Sequence, residues 1–187
     1  MYGFYGKMPG HGDFVRSKAD PGFVAAWDTW LQASFSDSRT RLGDAWQAAY
    51  EAMPIWRFTL PGGVCGDDPI LGVMMPSQDR VGRMFPLTVF ARLKMAAGQG
   101  ALDAEPLMTE LEDAALETLD CTPQDRLRAR LDAMAAPDTT DASDGATHWL
   151  STFFGGAARR DTFSFAALPS PARFTQLLNP GAETANV

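Results

Sequence analysis

The sequence predicts an α/β protein of the α+β kind, with a largely antiparallel central sheet and helices packed on its faces. Three observations lead there. The apolar period alternates between helix-like and strand-like stretches in the order β-α-α-β-β-β-α-α-β-β-α. The connections between the middle strands are short, which favours antiparallel neighbours. The chain has 187 residues, and surface scaling gives roughly 8,800 Å² folded against roughly 29,000 Å² unfolded, enough burial for one core without disulfide or metal support. A single domain over residues 1–178 follows, with a frayed tail at 179–187.

Each element has a local reason. Met1 to Gly6 is a short aromatic strand, and Lys7 to Lys18 a glycine-containing loop. Asp20-Pro21 starts a helix, because aspartate caps free N–H groups and proline at the first position loses no hydrogen bond. Phe23, Trp27, Trp30 and Leu31 form its apolar stripe. A second helix is predicted from Ser36-Asp37-Ser38, with Leu42, Ala45, Trp46, Ala49, Tyr50 and Met53 inward and Pro54 as its stop. Ile55–Leu60 reads as a half-buried strand, with Trp56, Phe58 and Leu60 on one face and Arg57 and Thr59 on the other. Ile70–Met75 is a continuous apolar run suited to a central strand, and Leu87–Leu93 alternates again. Pro76 to Arg83 connects these two.

After a break at Gly98–Gly100, residues 103–120 read as an acidic helix with Leu107, Leu111, Ala115 and Leu119 inward. Thr122-Pro123 starts another, with Leu127, Leu131 and Met134 buried and Pro137 as its stop. Residues 137–147 are a polar loop. His148–Phe154 and Thr162–Ala166 are strands around Gly155-Gly156, and Ala172–Leu178 is a final short helix. No internal repeat is visible.

Charge narrows the partners. Sixteen basic against 23 acidic residues leave a net charge of −7. Residues 1–93 are balanced, and the acidic excess lies in residues 94–187. With a pI near 4.7 and no basic run, nucleic acid and anionic membrane surfaces are disfavoured. No apolar run reaches the roughly 20 residues of a spanning helix, and the N-terminus lacks a basic segment followed by an apolar one. The expectation is a cytoplasmic protein without membrane insertion.

Candidate chemistry is sparse. Gly6-Lys7-Met8-Pro9-Gly10-His11-Gly12-Asp13 lacks the spacer and hydroxyl of a phosphate loop and reads as a tight turn, with Asp13 capping nearby backbone. Cys65, Cys121, His11 and His148 are isolated from one another, without metal-ligand spacing. Cys65 with His11 is a conceivable nucleophile pair, against the commoner role of cysteine as a small buried hydrophobe. Asp67-Asp68 before a proline reads as a solvated turn rather than a cation site. No catalytic residue, cofactor or metal is assigned. Ser77, Asp79, Arg80 and Arg83 form the densest polar cluster. Two readings stand side by side: an anion- or partner-binding patch, and an internal ion pair between Asp79 and a nearby arginine. The tryptophans Trp27, Trp30, Trp46 and Trp56 lie on apolar stripes and read as core.

The motifs themselves resemble a family. Gly3-Phe4-Tyr5-Gly6-Lys7-Met8-Pro9 and Gly12-Asp13-Phe14-Val15 are similar to the opening of the TagF (ImpM) family of type VI secretion accessory proteins. The likeness continues through Trp27-Asp28-Thr29-Trp30-Leu31, Ser38-Arg39, Leu42-Gly43-Asp44-Ala45-Trp46, Pro54-Ile55-Trp56-Arg57-Phe58 and Gly63-Val64-Cys65-Gly66. It extends over Gly72-Val73-Met74-Met75-Pro76-Ser77, Asp79-Arg80-Val81-Gly82-Arg83-Met84-Phe85-Pro86-Leu87 and Leu168-Pro169-Ser170-Pro171-Ala172-Arg173-Phe174. Two stretches depart: His148–Phe154 carries a single tryptophan where the family is tryptophan-rich, and 137–147 has no counterpart.

The resemblance implies a non-enzymatic repressor acting after translation, beside a threonine kinase, its phosphatase and a forkhead-associated scaffold protein, the expected partner. The chain is too short to include the fused phosphatase of some relatives and is expected to be the stand-alone form. For the polar rim of a partner interface, Lys7, Asp13, Ser77, Asp79, Arg80 and Arg83 are the candidates. Two alternatives remain: a structural accessory of the secretion assembly, and a small cysteine-dependent hydrolase or transferase.

Overall fold

In the computed structural model, residues 1–93, 105–136, 144–152 and 161–180 are described. The expected break at Gly98–Gly100, most of the polar loop at 137–147, the Gly155-Gly156 turn and the tail beyond residue 180 lie outside them. The strands are β1 (Tyr2–Gly6), β2 (Val15–Ser17), β3 (Ile55–Leu60), β4 (Ile70–Met75), β5 (Leu87–Arg92), β6 (Thr147–Thr152) and β7 (Thr162–Phe165). They form one seven-stranded sheet in the order β2-β1-β5-β4-β3-β6-β7, and each neighbouring pair is antiparallel. The helices are α1 (Pro21–Leu42), α2 (Trp46–Glu51), α3 (Glu105–Leu116), α4 (Gln124–Ala133) and α5 (Pro171–Leu178).

Alternation along the central strands sorts the core into two layers. On β4, Ile70 and Met74 face an aromatic layer that also holds Trp56, Phe58, Trp149 and Phe90. Helices α1, α2 and α5 cover it through Phe23, Trp27, Trp30, Trp46, Tyr50 and Phe174. Leu71, Val73 and Met75 face an aliphatic layer closed by Met108, Leu111 and Ala115 of α3 and Leu127 and Leu131 of α4. Gly72 lies opposite both Phe58 and Phe90. A Cβ there would come within 2.9 Å of each ring-bearing side chain, so its absence lets the aromatic layer close.

Every buried tryptophan also satisfies its indole N–H, as burial of a polar tip requires. Trp27 Nε1 donates to Thr88 Oγ1 at 2.9 Å, Trp30 Nε1 to the Pro169 carbonyl at 2.7 Å and Trp56 Nε1 to the Leu177 carbonyl at 2.9 Å. Trp46 and Trp149 donate to the hydroxyls of Ser38 and Thr147. These bonds anchor α1 and α5 to the sheet at defined registers.

Four local expectations change. The loop between Lys7 and Lys18 contains β2, which pairs with β1 through Tyr5↔Arg16 and its neighbours. Ser36-Asp37-Ser38 does not start a new helix: α1 runs unbroken to Leu42, and the break falls at Gly43–Ala45. Ser38 is buried and takes the Trp46 indole, so its hydroxyl serves packing instead of an N-cap. Strand β3 is buried on both faces. Arg57 on its second face is covered by α3, where Glu112 takes its Nε at 2.9 Å and Glu105 its Nη1 at 2.6 Å. Burial opposes the Arg57 charge, but these carboxylates outweigh it and hold the guanidinium firmly protonated. Leu119 lies outside α3 and is 43% exposed, because the chain tightens into a 3₁₀ turn over Glu117–Asp120.

Candidate functional site

Strand order brings two loops together. With β5 between β1 and β4 and both pairs antiparallel, β1 and β4 run the same way and leave the sheet at the same end. The loop after β1 carries Lys7 to Phe14, and the hairpin after β4 carries Pro76 to Pro86.

Asp79 is the hub. Its side chain has no solvent exposure, and its Oδ2 receives Lys7 Nζ at 2.6 Å and Arg83 Nε at 2.6 Å. Its Oδ1 accepts the backbone N–H groups of Val81 at 3.0 Å and Arg83 at 2.9 Å. Burial alone would raise this carboxyl, but the bonds from Lys7 and Arg83 and the two amides prevail and hold it well below the usual carboxylate range. The Asp79 and Gln78 ends of the hairpin are closed by Asp79 N–H to the Arg83 carbonyl at 3.1 Å and a Gln78↔Met84 bridge.

Further bonds lock the two loops to each other. Ser77 Oγ donates to the Lys7 carbonyl at 2.8 Å. Arg83 Nη2 donates to the Gly12 carbonyl at 2.5 Å, and the Arg80 amide to the His11 carbonyl at 2.9 Å. Tyr50 of α2 makes a reciprocal pair with Ser77, its hydroxyl donating to the carbonyl at 2.9 Å and accepting the amide at 3.0 Å. Burial pushes the Tyr50 phenol up, so it remains a donor. His11 Nε2 accepts the Gln124 amide at 3.2 Å and ties the first loop to α4.

Of the six residues singled out in the sequence, Lys7, Ser77, Asp79 and Arg83 meet in this network. Lys7 is a partner of Asp79 that local spacing could not supply. Asp13 is exposed and its Oδ1 accepts its neighbour's amide, that of Phe14, at 2.8 Å. Arg80 is exposed, its guanidinium against Gly12, where a Cβ would sit 3.0 Å from Nε. Phe14, 42% exposed, packs on Tyr5 and Phe85 and under Lys7 Nζ. Beside the hairpin lies an open apolar cavity of about 630 Å³, lined by residues including Pro9, Met53, Pro54, Met75, Pro76 and Met84. Sequence reasoning missed Tyr50, Phe14 and this cavity. The prolines at 9, 54 and 76, each just beyond a regular element, were the available signal.

The remaining reactive side chains lie elsewhere. Cys65 is packed in the aromatic layer, 3% exposed, and burial pushes its thiol up to about 12. Cys121 is exposed. His148 bridges Ser164 Oγ at 2.9 Å and Asp144 Oδ1 at 3.0 Å, pinning β7 to β6. Among the described residues, no three His, Cys, Asp or Glu side chains are grouped to hold a metal ion. No helix among them is long and apolar enough to cross a membrane.

No functionally curated protein matches the sequence. The crystal structure of PA0076 from Pseudomonas aeruginosa PAO1 superposes with a TM-score of 0.84 at 31% identity, covering 96% of this chain and 94% of that one. Residues 3–134 match the TagF N-terminal domain, type VI secretion system-associated. The match takes in both loops, the Asp79 hub and the cavity lining, and with it the chain belongs to the TagF family of type VI secretion-associated proteins.

Proposed function

We propose that this protein is a non-enzymatic, cytoplasmic repressor of type VI secretion that works after translation by binding a partner protein, the forkhead-associated scaffold of the system. Family membership supplies the pathway. The observation that carries the mechanism is the Lys7–Asp79–Arg83 network, in which three charged groups are spent on holding two loops in one shape. Charged groups committed to each other around a buried carboxylate are poorly suited to attack a substrate and well suited to fix a surface. Such a surface presents Phe14, Arg80 and Val81 without a further ordering cost on association. The raised Cys65 thiol supports the same reading, since a nucleophile needs the thiolate.

Deletion of the gene in its host is expected to raise type VI secretion, and overproduction to silence it. The purified full chain is expected to retain the forkhead-associated scaffold on an affinity column. Unchanged secretion in both strains, with folded protein present, overturns the regulatory reading. Stoichiometric recovery with the assembled secretion machine would favour a structural accessory instead.

A further inference from the structure

The apolar cavity beside the Asp79 hairpin is not used by the network that shapes it. Its walls come from the end of α2, the start of β3, the end of β4 and the hairpin base, with Pro9 and Leu119 at its margins. The polar atoms nearest its floor are already satisfied, since Tyr50 and Ser77 bond each other twice. Three methionines and three prolines make up most of the remaining lining, with Glu51 and Gln78 as its polar members. Methionine side chains are unbranched and polarizable, and they adapt to apolar groups of different shape. The volume of about 630 Å³ falls within the range of small-ligand and peptide pockets, about 300–1,000 Å³.

Two further observations say what kind of occupant fits. The large hydrophobic side chains exposed among the described residues are Met1, Phe14, Val81 and Leu119. Leu119 lines the cavity, Val81 lies on the hairpin and Phe14 on the loop bonded to it, so three of the four gather at one end of the sheet. The second observation is charge. On a chain of net charge −7, the two loops hold the cations Lys7, Arg80 and Arg83. Lys7 and Arg83 are consumed by Asp79. The Arg80 guanidinium is exposed, two positions from the cavity-lining Gln78, and has no ion pair among the described residues. Of the other acids nearby, Asp13 holds the Phe14 amide and Glu117 is paired with Arg130, while Glu51, bonded by the Gln47 amide, lines the cavity at the α2 end, away from the hairpin that carries Arg80. Asp120 stands exposed beside Leu119.

We infer that the cavity is the docking slot for a short extended segment of the partner protein, with a leucine, isoleucine or methionine anchor in the slot and a neighbouring carboxylate on Arg80. The inference rests on the repressor reading and adds to it the chemistry of the bound segment. An apolar anchor in a preformed pocket supplies affinity, and a charge-assisted bond at the rim fixes direction and partner choice.

The test is selection of random twelve-residue displayed peptides on the immobilised full chain, followed by titration of one enriched synthetic peptide. The enriched set is expected to share an aliphatic or methionine residue with aspartate or glutamate within a few positions. Binding of the synthetic peptide should shift the methyl signals of Met53, Met75 and Met84. It should weaken at least tenfold in Ala52→Trp, which fills the slot from an exposed position, and in Arg80→Glu. A peptide with its acid replaced by lysine should recover binding to Arg80→Glu. Leu119→Glu provides a second block from a different element if Ala52→Trp melts below the wild-type midpoint.

Absence of enrichment, a consensus without a carboxylate, or binding indifferent to these substitutions overturns the inference. A dimer in sedimentation that Ala52→Trp dissociates would make the occupant a second copy and overturns it too. If deletion of the gene derepresses secretion but folded Ala52→Trp and Leu119→Glu proteins repress fully, the slot fails while the repressor reading stands. If deletion changes nothing, the repressor reading fails whatever peptides are selected.

Discussion

Lys7 and Asp79, 72 positions apart, meet through a 2.6 Å contact between Nζ and Oδ2, with the carboxylate closed to solvent. This pair joins the loop after β1 to the hairpin after β4, and Arg83 completes it from the other side. The shape of the whole loop surface therefore depends on one ionised carboxyl.

That dependence sets a pH window. The folded Asp79 carboxyl lies below its ordinary value of 3.8. Stability from this group is present above that value and is lost as pH falls through the lower folded one. Urea midpoints measured from pH 6 downward should fall below about pH 4, and the fall should be smaller in Asp79→Asn, which starts less stable at pH 6. Parallel curves for the two proteins would refute this.

The two arginines of the hairpin should separate cleanly. Arg80→Glu removes an exposed side chain that has no ion pair among the described residues, so its unfolding free energy should stay within about 0.5 kcal/mol of wild type. Arg83→Glu loses the bonds to Asp79 and to the Gly12 carbonyl and sets a second carboxylate beside the first. Its thermal midpoint should be clearly lower. Equal midpoints would show that the network does not support the loops.

Arg57 offers a double-mutant cycle. Its guanidinium is buried, and Glu112 is its nearly buried partner. Arg57→Met should cost about 3–5 kcal/mol by leaving a carboxylate uncompensated. Adding Glu112→Leu should restore much of that loss, because a well-packed apolar pair replaces a desolvated ionic one. Additive losses in denaturant titrations would contradict the account.

Trp27 tests the aromatic layer. It is fully buried and donates to Thr88 Oγ1 at 2.9 Å. Trp27→Phe should cost about 1–3 kcal/mol through the orphaned hydroxyl and the lost ring. Trp27→Ala should cost about 3–5 kcal/mol. Chemical denaturation distinguishes the two, and a smaller loss for the alanine variant would be incompatible with the packing.

The cysteines should differ in reactivity. One equivalent of an aromatic disulfide reagent should react readily with the native chain, at exposed Cys121, and a second only on unfolding. Cys65→Ala should leave control of secretion intact. Rapid native reaction of Cys65, or loss of control in that variant, would reopen a thiol mechanism.

Apolar patterning marked the strands β1, β3, β4 and β5 and the face of α1, because a buried strand selects apolar runs or alternation and a surface helix a single apolar stripe. Asp20 with Pro21 marked a helix start for reasons confined to a few residues, whereas Thr122, expected to cap α4, donates to the Glu117 carbonyl instead, and α4 begins at Gln124 with Pro123 at its N-cap. The motifs around Trp27, Trp56 and Asp79 carried the family likeness. What escaped was set by residues distant in the chain. Ser38 looked like a cap because its partner Trp46 lies a helix break away. Arg57 looked solvated because α3, which covers it, follows some 50 residues later. The polar cluster at 77–83 admitted two readings in sequence, since a carboxylate's environment depends on whether its cations arrive from another strand. Antiparallel order brought Lys7 to Asp79 and built the slot beside them. Only the folded chain could decide that, because burial and charge pairing are properties of what meets in space.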